Sequence, residues 1–263
     1  MNQLDQVVRE VSREVIDGTG LRYQKNFFYD ANNNLIREDV QNVEDQGVLQ
    51  ATTHFTTLYE YEILNFLTNR TEEIDAGLTL STQYGYDGNR NLTLTRYGEA
   101  VNGNQPNNHI RTIYDERDKA FQVVRVKGDP DQSTTQYDYD KNGNPVRTLE
   151  GLEETPHITD HVYDGYNRLV ETRDAMGNMA TRHYDGNHNR VSERVDGELT
   201  DMVGGGNNVR LSETAHIYDN LDRRIRTETE FFDSNTQLPK GDGQSITEME
   251  HSDASQVIRY LCL

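Results

Sequence analysis

The stretch Tyr163-Asp164-Gly165-Tyr166-Asn167-Arg168-Leu169-Val170-Glu171-Thr172-Arg173, followed by Asp174-Ala175-Met176-Gly177-Asn178 and then Tyr184-Asp185, decides the fold. It reads as strand, turn, strand, turn. Thr159–Tyr163 leads in as a strand. The Asp164 carboxylate is placed to accept from backbone N–H groups two residues on, which starts a turn. Gly and Asn then tolerate positive φ at low cost. Leu169–Arg173 alternates as an outgoing strand. The unit is a β-hairpin, and Asp174–Asn178 is the turn to the next one.

The Tyr-Asp pair recurs at Tyr29-Asp30, Tyr86-Asp87, Tyr114-Asp115, Tyr139-Asp140, Tyr163-Asp164, Tyr184-Asp185 and Tyr218-Asp219. Tyr61-Glu62 is an eighth, weaker copy. Spacings run from 21 residues (Tyr163 to Tyr184) to 34 (Tyr184 to Tyr218). The four positions after the acidic residue hold Gly, Asn or Asp at 18 of 32 places, and the next two include an apolar residue in all eight copies. Repeats in phase over such columns mark an array rather than a compact globule. Within it, Asn142-Gly143 predicts a type I′ hairpin turn.

The turn joining one hairpin to the next has no fixed length. Val101–His109, Gly128–Ser133, Asp196–Asn208 (with Gly204-Gly205-Gly206) and Thr236–Ser245 read as enlarged versions of it. One edge should therefore carry uniform turns and the other variable loops. Near the start, Leu4, Val7, Val8, Val11 and Val15 fit a helical stripe as well as a strand. Strand over Val7–Val11 is preferred, because it leads into Leu21–Asp30, the incoming strand of the first full hairpin. Ser252–Ile258 resembles a ninth unit without its Tyr. Neither end resembles a cap, so the expectation is one array over residues 1–263, about eight repeats and 16 strands, cut from something longer.

Composition agrees with a thin β-structure. Only 33% of the 263 residues are apolar and there is no Trp, too little for a bulky core. One face of each antiparallel strand stays wet, so few apolar residues suffice. The formal net charge of −19 argues against nucleic acid and anionic membranes, which select a basic surface. A single cysteine, Cys262, makes no internal disulfide and no zinc-type cluster. Met1–Gly20 lacks the apolar run of a secretion signal, and no stretch is apolar enough for a membrane helix.

These residues resemble the rearrangement-hotspot (RHS), or YD-repeat, family over roughly Val7 to Asp233, with the best copies between Tyr114 and Ile225. The family includes bacterial polymorphic toxins, the B and C components of toxin complexes, and teneurins. The resemblance implies an all-β antiparallel meander of hairpins, a curved strip or part of a spiral shell. In bacterial members the shell encloses a C-terminal toxin and closes with an autoprotease core segment. No such segment and no toxin domain is recognisable in this sequence. The implied role is a non-enzymatic wall segment, secreted or cell-surface in its parent. Its partners would be the rest of the shell and an enclosed cargo. The alternative is an adhesin- or teneurin-like module binding cell-surface carbohydrate.

Candidate chemistry is thin. Asp138-x-Asp140-x-Asn142-Gly143-Asn144 resembles half of a calcium loop, but the twelfth position is Leu149 where a bidentate Glu belongs. A turn rich in φ-tolerant residues explains the same letters, so Asp138, Asp140 and Asn142 are weak metal candidates. His183 and His188 flank one repeat turn without a third ligand in spacing. No GxSxG, P-loop, HExxH or dinucleotide fingerprint occurs, so neither catalytic nor cofactor-binding residues are expected. The repeat tyrosines read as packing against the neighbouring hairpin rather than as a ligand ladder.

Overall fold

The computed structural model describes residues 4–12, 24–43, 49–75, 77–197 and 208–262. The chain forms two compact units, Met1–Thr134 and Thr135–Leu263. The first contains β1 (Arg9–Val11), β2 (Gln24–Tyr29), β3 (Leu35–Val43), β4 (Leu49–Tyr61), β5 (Leu67–Asp75), β6 (Leu78–Tyr86), β7 (Leu92–Arg96), the short helix α1 (Gly98–Val101), β8 (His109–Tyr114) and β9 (Ala120–Arg125). The second contains β10 (Ser133–Tyr139), β11 (Pro145–Glu150), β12 (His157–Tyr163), β13 (Leu169–Arg173), β14 (Met179–Tyr184), β15 (Arg190–Gly197), β16 (Val209–Tyr218), β17 (Arg224–Phe232), β18 (Pro239–His251) and β19 (Val257–Cys262). Within each unit every strand pairs antiparallel with its neighbours in sequence. The expected all-β meander of hairpins is what the chain forms.

The strands number 19 among the described residues, against the 16 expected. The excess is β1 and the ninth hairpin, β18–β19. The strand reading of the start holds over Arg9–Val11, which pairs with Gln24–Asn26. Val15 and Leu21–Tyr23 lie outside the described residues, as do residues 198–207 with the three glycines.

Every repeat turn has one construction. In the first, the Asn33 amide donates to the Asp30 carbonyl (3.2 Å) and the Asp30 amide to the Asn34 carbonyl (3.0 Å). Asn33 is left-handed, φ 68°. That is a type I turn followed by a left-handed residue, the three-residue hairpin loop. The residue four after the Tyr is left-handed in all eight repeats: Asn33, Asn65, Arg90, Asp118, Gly143, Asn167, His188 and Asp222. Asn142-Gly143 is therefore not a type I′ pair: Gly143 has φ 84° and Asn142 is not among the positive-φ residues. Three residues between Asp140 and Asn144 select the longer loop over the two-residue one. The register then shifts next to each Tyr, as between Phe28↔Arg37 and Tyr29↔Leu35, leaving one extra residue on the outgoing strand. The two apolar columns of the repeat are the residue opposite the Tyr and this bulged one. Bulges sharpen the local right-handed twist.

The other connections vary, with two corrections. Asp196 and Gly197 are strand residues paired with Arg210 and Val209, so the enlarged loop begins later than Asp196. Thr236–Ser245 is a loop only as far as Leu238: the turn is Asp233–Leu238, and the chain pairs again from Phe232↔Pro239 to Glu230↔Gln244. The surplus residues form a wide bulge inside β18, where a Cβ on Gly243 would lie 2.8 Å from that of Lys240. Length variation is thus taken up by a strand as well as by loops. The turn Asp174–Asn178 repeats the Tyr-Asp construction on the opposite edge without a Tyr, with Gly177 left-handed at φ 87°.

Among the described residues neither unit has a bulky core. The buried apolar residues among those described are Ala100, Val124, Phe232 and Met249. Ala100 lies on α1, which packs on β6 so closely that a Cβ on Gly98 would sit 1.9 Å from Leu80 Cδ1. Elsewhere stability must come from pairing and same-face contacts between adjacent strands.

Candidate functional site

The Tyr-Asp turns are the site that the repeat builds. The Asp30 carboxylate accepts from the backbone of Asn32 (2.9 Å) and Asn34 (2.8 Å) through Oδ1, and from Asn34 Nδ2 (2.9 Å) through Oδ2. Asp87, Asp140, Asp164, Asp185 and Asp219 hold their turns in the same way. These bonds favour the ionised form. The side chains of Asn34, Asn144, Arg168 and Asn189 hold Asp30, Asp140, Asp164 and Asp185 below the usual carboxylate range. The Asn91 and Lys119 backbone amides do so first at Asp87 and Asp115. At Asp219 burial opposes, but the Arg223 amide and guanidinium outweigh it.

Tyrosine hydroxyls stitch hairpins to the ones before them. Tyr61 Oη donates to the Leu35 carbonyl (2.9 Å), Tyr86 to Leu67 (2.9 Å), Tyr114 to Leu92 (3.1 Å), Tyr184 to Leu169 (3.0 Å) and Tyr218 to Arg190 (3.0 Å). Tyr29 reaches the Val7 carbonyl (3.0 Å). Each acceptor after the first is the residue that opens the previous outgoing strand. Burial pushes the Tyr61, Tyr86 and Tyr163 hydroxyls above the usual phenol range, so all three stay protonated, and Tyr61 and Tyr86 keep the proton they donate.

A second layer of contacts alternates. Asn32 and Asn34 both donate to Asn65 Oδ1 in the next turn (3.1 and 2.8 Å). Asn89 and Asn91 do the same to Asp118, Asn142 and Asn144 to Asn167, and Asn187 and Asn189 to Asp222. The intervening turns meet differently. Phe66 packs on the Tyr86 ring (5.1 Å), while Arg168 donates to the Asp185 carbonyl (3.1 Å) and Arg223 to that of Ser252 (3.0 Å). The sequence carries the same alternation. Turns Asp30, Asp87, Asp140 and Asp185 read D-x-N-x-N; turns Glu62, Asp115, Asp164 and Asp219 read D/E-x-x-N/D followed by Phe, Lys or Arg. The structural period is two hairpins.

The weak metal candidates are placed apart in role. Asp140 closes its turn, Asn142 clamps Asn167, and Asp138 accepts from Gln136 (3.2 Å) on the strand. His183 meets Ser192 Oγ (3.3 Å), while His188 stacks edge-on against Tyr166 (5.4 Å). Among the described residues no three His, Cys, Asp or Glu side chains gather in a metal-holding group, and no helix is long and apolar enough to cross a membrane.

One concavity was not foreseen. It lies on β6–β9, has a volume of roughly 490 Å³, and is lined by Gly85, Leu94, Ile113, Val124, Arg111 and Lys127 among others. A glycine inside an alternating strand often marks close approach by another group. Gly85 was the one signal for this site in the sequence.

Stitched turns and single-layer strands define a β-hairpin repeat protein. No family model matches the chain, and no curated protein matches it. Among solved structures it is similar to a crystal structure of TcdB2-TccC3-TEV, at 11% identity over 92% of this chain and 17% of that chain, with a TM-score of 0.32. Another similar structure is TcdB2-TccC3 (11% identity, 91% of this chain, 18% of that one, TM-score 0.32). A third is the Photorhabdus luminescens Tc holotoxin pore (10% identity, 91% and 17%, TM-score 0.33). This chain therefore spans under a fifth of the chains it resembles.

Proposed function

We propose that this chain is a non-enzymatic wall segment of an RHS-type shell that encloses a toxin or other cargo, exported with its parent protein. The observation that carries the reading is the Tyr hydroxyl ladder. The repeated side chains are engaged in holding hairpin to hairpin, as in Tyr61 to Leu35 and Tyr86 to Leu67. Such neighbour-to-neighbour bonding lets an array extend indefinitely without a globular core. The partners in this reading are further repeats of the same shell and the cargo within it.

The test uses the full open reading frame that contains this chain. A segment encoded beyond the array should survive protease treatment of the purified protein. It should be digested once Tyr61→Ala and Tyr86→Ala have weakened the wall. Equal digestion in both proteins would remove the encapsulation reading. Retention of this chain on a broad glycan array would favour the carbohydrate-binding module instead.

A further inference from the structure

We infer that the notch on β6–β9 binds a small amphipathic anion, an aliphatic tail ending in a carboxylate. The notch follows from register. Gly85 pairs with Leu94, Leu94 with Arg111, and Arg111 with Val124, so one row crosses four strands on one face. Directly opposed residues in such a row have Cβ atoms about 4.5–5.5 Å apart. The row begins on a residue without a side chain. A Cβ at Gly85 would already lie 3.3 Å from the Leu94 Cβ, so the gap beside Leu94 stays open only because position 85 is glycine.

The floor and walls are apolar. Val124 is buried, and Ile113, two residues from Arg111 and so on the same face, is 49% exposed. The roughly 490 Å³ volume falls within the range of about 300–1,000 Å³ typical of small-molecule sites. An aliphatic tail laid along Leu94 and Ile113 would take their exposed apolar surface out of water.

Charge selects the head group. The chain carries a formal net charge of −19, yet two cations, Arg111 and Lys127, line this notch. Neither forms an ion pair among the described residues, so both charges are available to a ligand, unlike those of Arg37 and Arg194, which pair with Asp39 and Asp196. The one carboxylate lining the notch is Asp87, whose oxygens accept from the Asn89 and Asn91 amides and from Asn91 Nδ2 within its own turn. An incoming carboxylate finds one or two open guanidinium or ammonium partners, and charge-assisted hydrogen bonds are the stronger kind.

Decanoate, kept below its micelle concentration, is the probe, titrated calorimetrically into this chain. Saturable binding at one site is expected. R111E combined with K127E should weaken it at least tenfold. Both side chains are exposed, so folding should survive, as circular dichroism would verify. Gly85→Leu should abolish binding by filling the notch. Arg125→Glu is the control: Arg125 neighbours Val124 and so points to the other face, and this variant should bind as the parent does. Absence of saturable binding, equal weakening by Arg125→Glu, or equal affinity for the uncharged alcohol decanol would each overturn the proposal.

Discussion

His251 Nε2 lies 2.9 Å from the Arg224 carbonyl, in the place where Tyr218 Oη meets the carbonyl of Arg190. The ninth hairpin therefore keeps the stitch after losing the tyrosine, with the imidazole donating through Nε2. Ser252 replaces the turn carboxylate and accepts one bond, from the Gln256 amide at 3.2 Å. Ser255 is still left-handed, φ 57°. Restoring the consensus with His251→Tyr and Ser252→Asp should stabilise β18–β19. The gain expected is about 1 kcal/mol, the net worth of an added hydrogen bond. Hydrogen exchange at Arg259 and Tyr260 reads it directly, and unchanged protection there would contradict the assignment.

The tyrosine ladder predicts a small and a larger effect at one position. Tyr61→Phe removes only the bond to Leu35 and should cost roughly 0.5–1.5 kcal/mol. Tyr61→Ala also removes ring packing. None of the described side chains of large volume is fully buried, so the loss should fall below the ~3–5 kcal/mol of a core aromatic. Urea denaturation of both variants gives the comparison, and a Phe variant as damaging as the Ala variant would count against the ladder.

The turn geometry predicts which substitutions Gly143 accepts. Its φ of 84° is shared, within the left-handed region, by asparagines at 33, 65 and 167. Gly143→Asn should therefore be nearly silent. Gly143→Val should lose about 1–2 kcal/mol or more, because a β-branched residue is strained there. Thermal melts that rank the two in the opposite order would show that the turn has another geometry.

The paired clamp is testable by a cycle. Asn142 and Asn144 both donate to Asn167 Oδ1, each at 2.9 Å. Asn167→Gly keeps the backbone conformation and removes the acceptor. Once it is made, Asn142→Ala should cost little more, so the two changes should be clearly non-additive. Additive losses would mean that the amides do not act together.

Stability should fall in acid, with a sign set by the turn aspartates. Asp30, Asp140, Asp164 and Asp185 are held below the ordinary range chiefly by side-chain hydrogen bonds, Asp87 and Asp115 chiefly by backbone ones. A folded-state value below the unfolded one means the unfolded chain takes up protons first. The contribution is fully present above about pH 4, the ordinary carboxylate value, and is lost as pH falls through the folded values. His216, pushed down chiefly by its burial, has the same sign around the ordinary imidazole value of about 6.5. A circular-dichroism pH series should show a small decline near the latter and a steep one below the former. Asp140→Asn should flatten the steep part.

Most of the fold is legible in the letters because the hairpin is a local object. Leu169–Arg173 is the strand that its alternation announces, and Tyr, Asp and the turn residues lie within a few positions of each other. The two-hairpin alternation was equally written in the sequence. It stays hidden when the four turn positions are pooled as composition, because it depends on which place Asn occupies. Asn142-Gly143 misleads because a favourable dipeptide is judged without counting the third loop residue. Thr236–Ser245 misleads because a strand interrupted by Gly241 and Gly243 has the composition of a loop. The β6–β9 notch joins Gly85, Leu94, Arg111 and Val124 through the register of four strands. No local pattern carries it apart from the glycine.

The alternating clamps give the array a parity. Hairpins can be gained or lost by duplication and deletion, as in any tandem sequence, but a single step sets two donor turns, or two acceptor turns, side by side. Asn32 and Asn34 would then face another pair of amides instead of the Asn65 carbonyl. Viable length changes should therefore come in twos, and an engineer lengthening this chain should graft hairpin pairs, cut at the same phase.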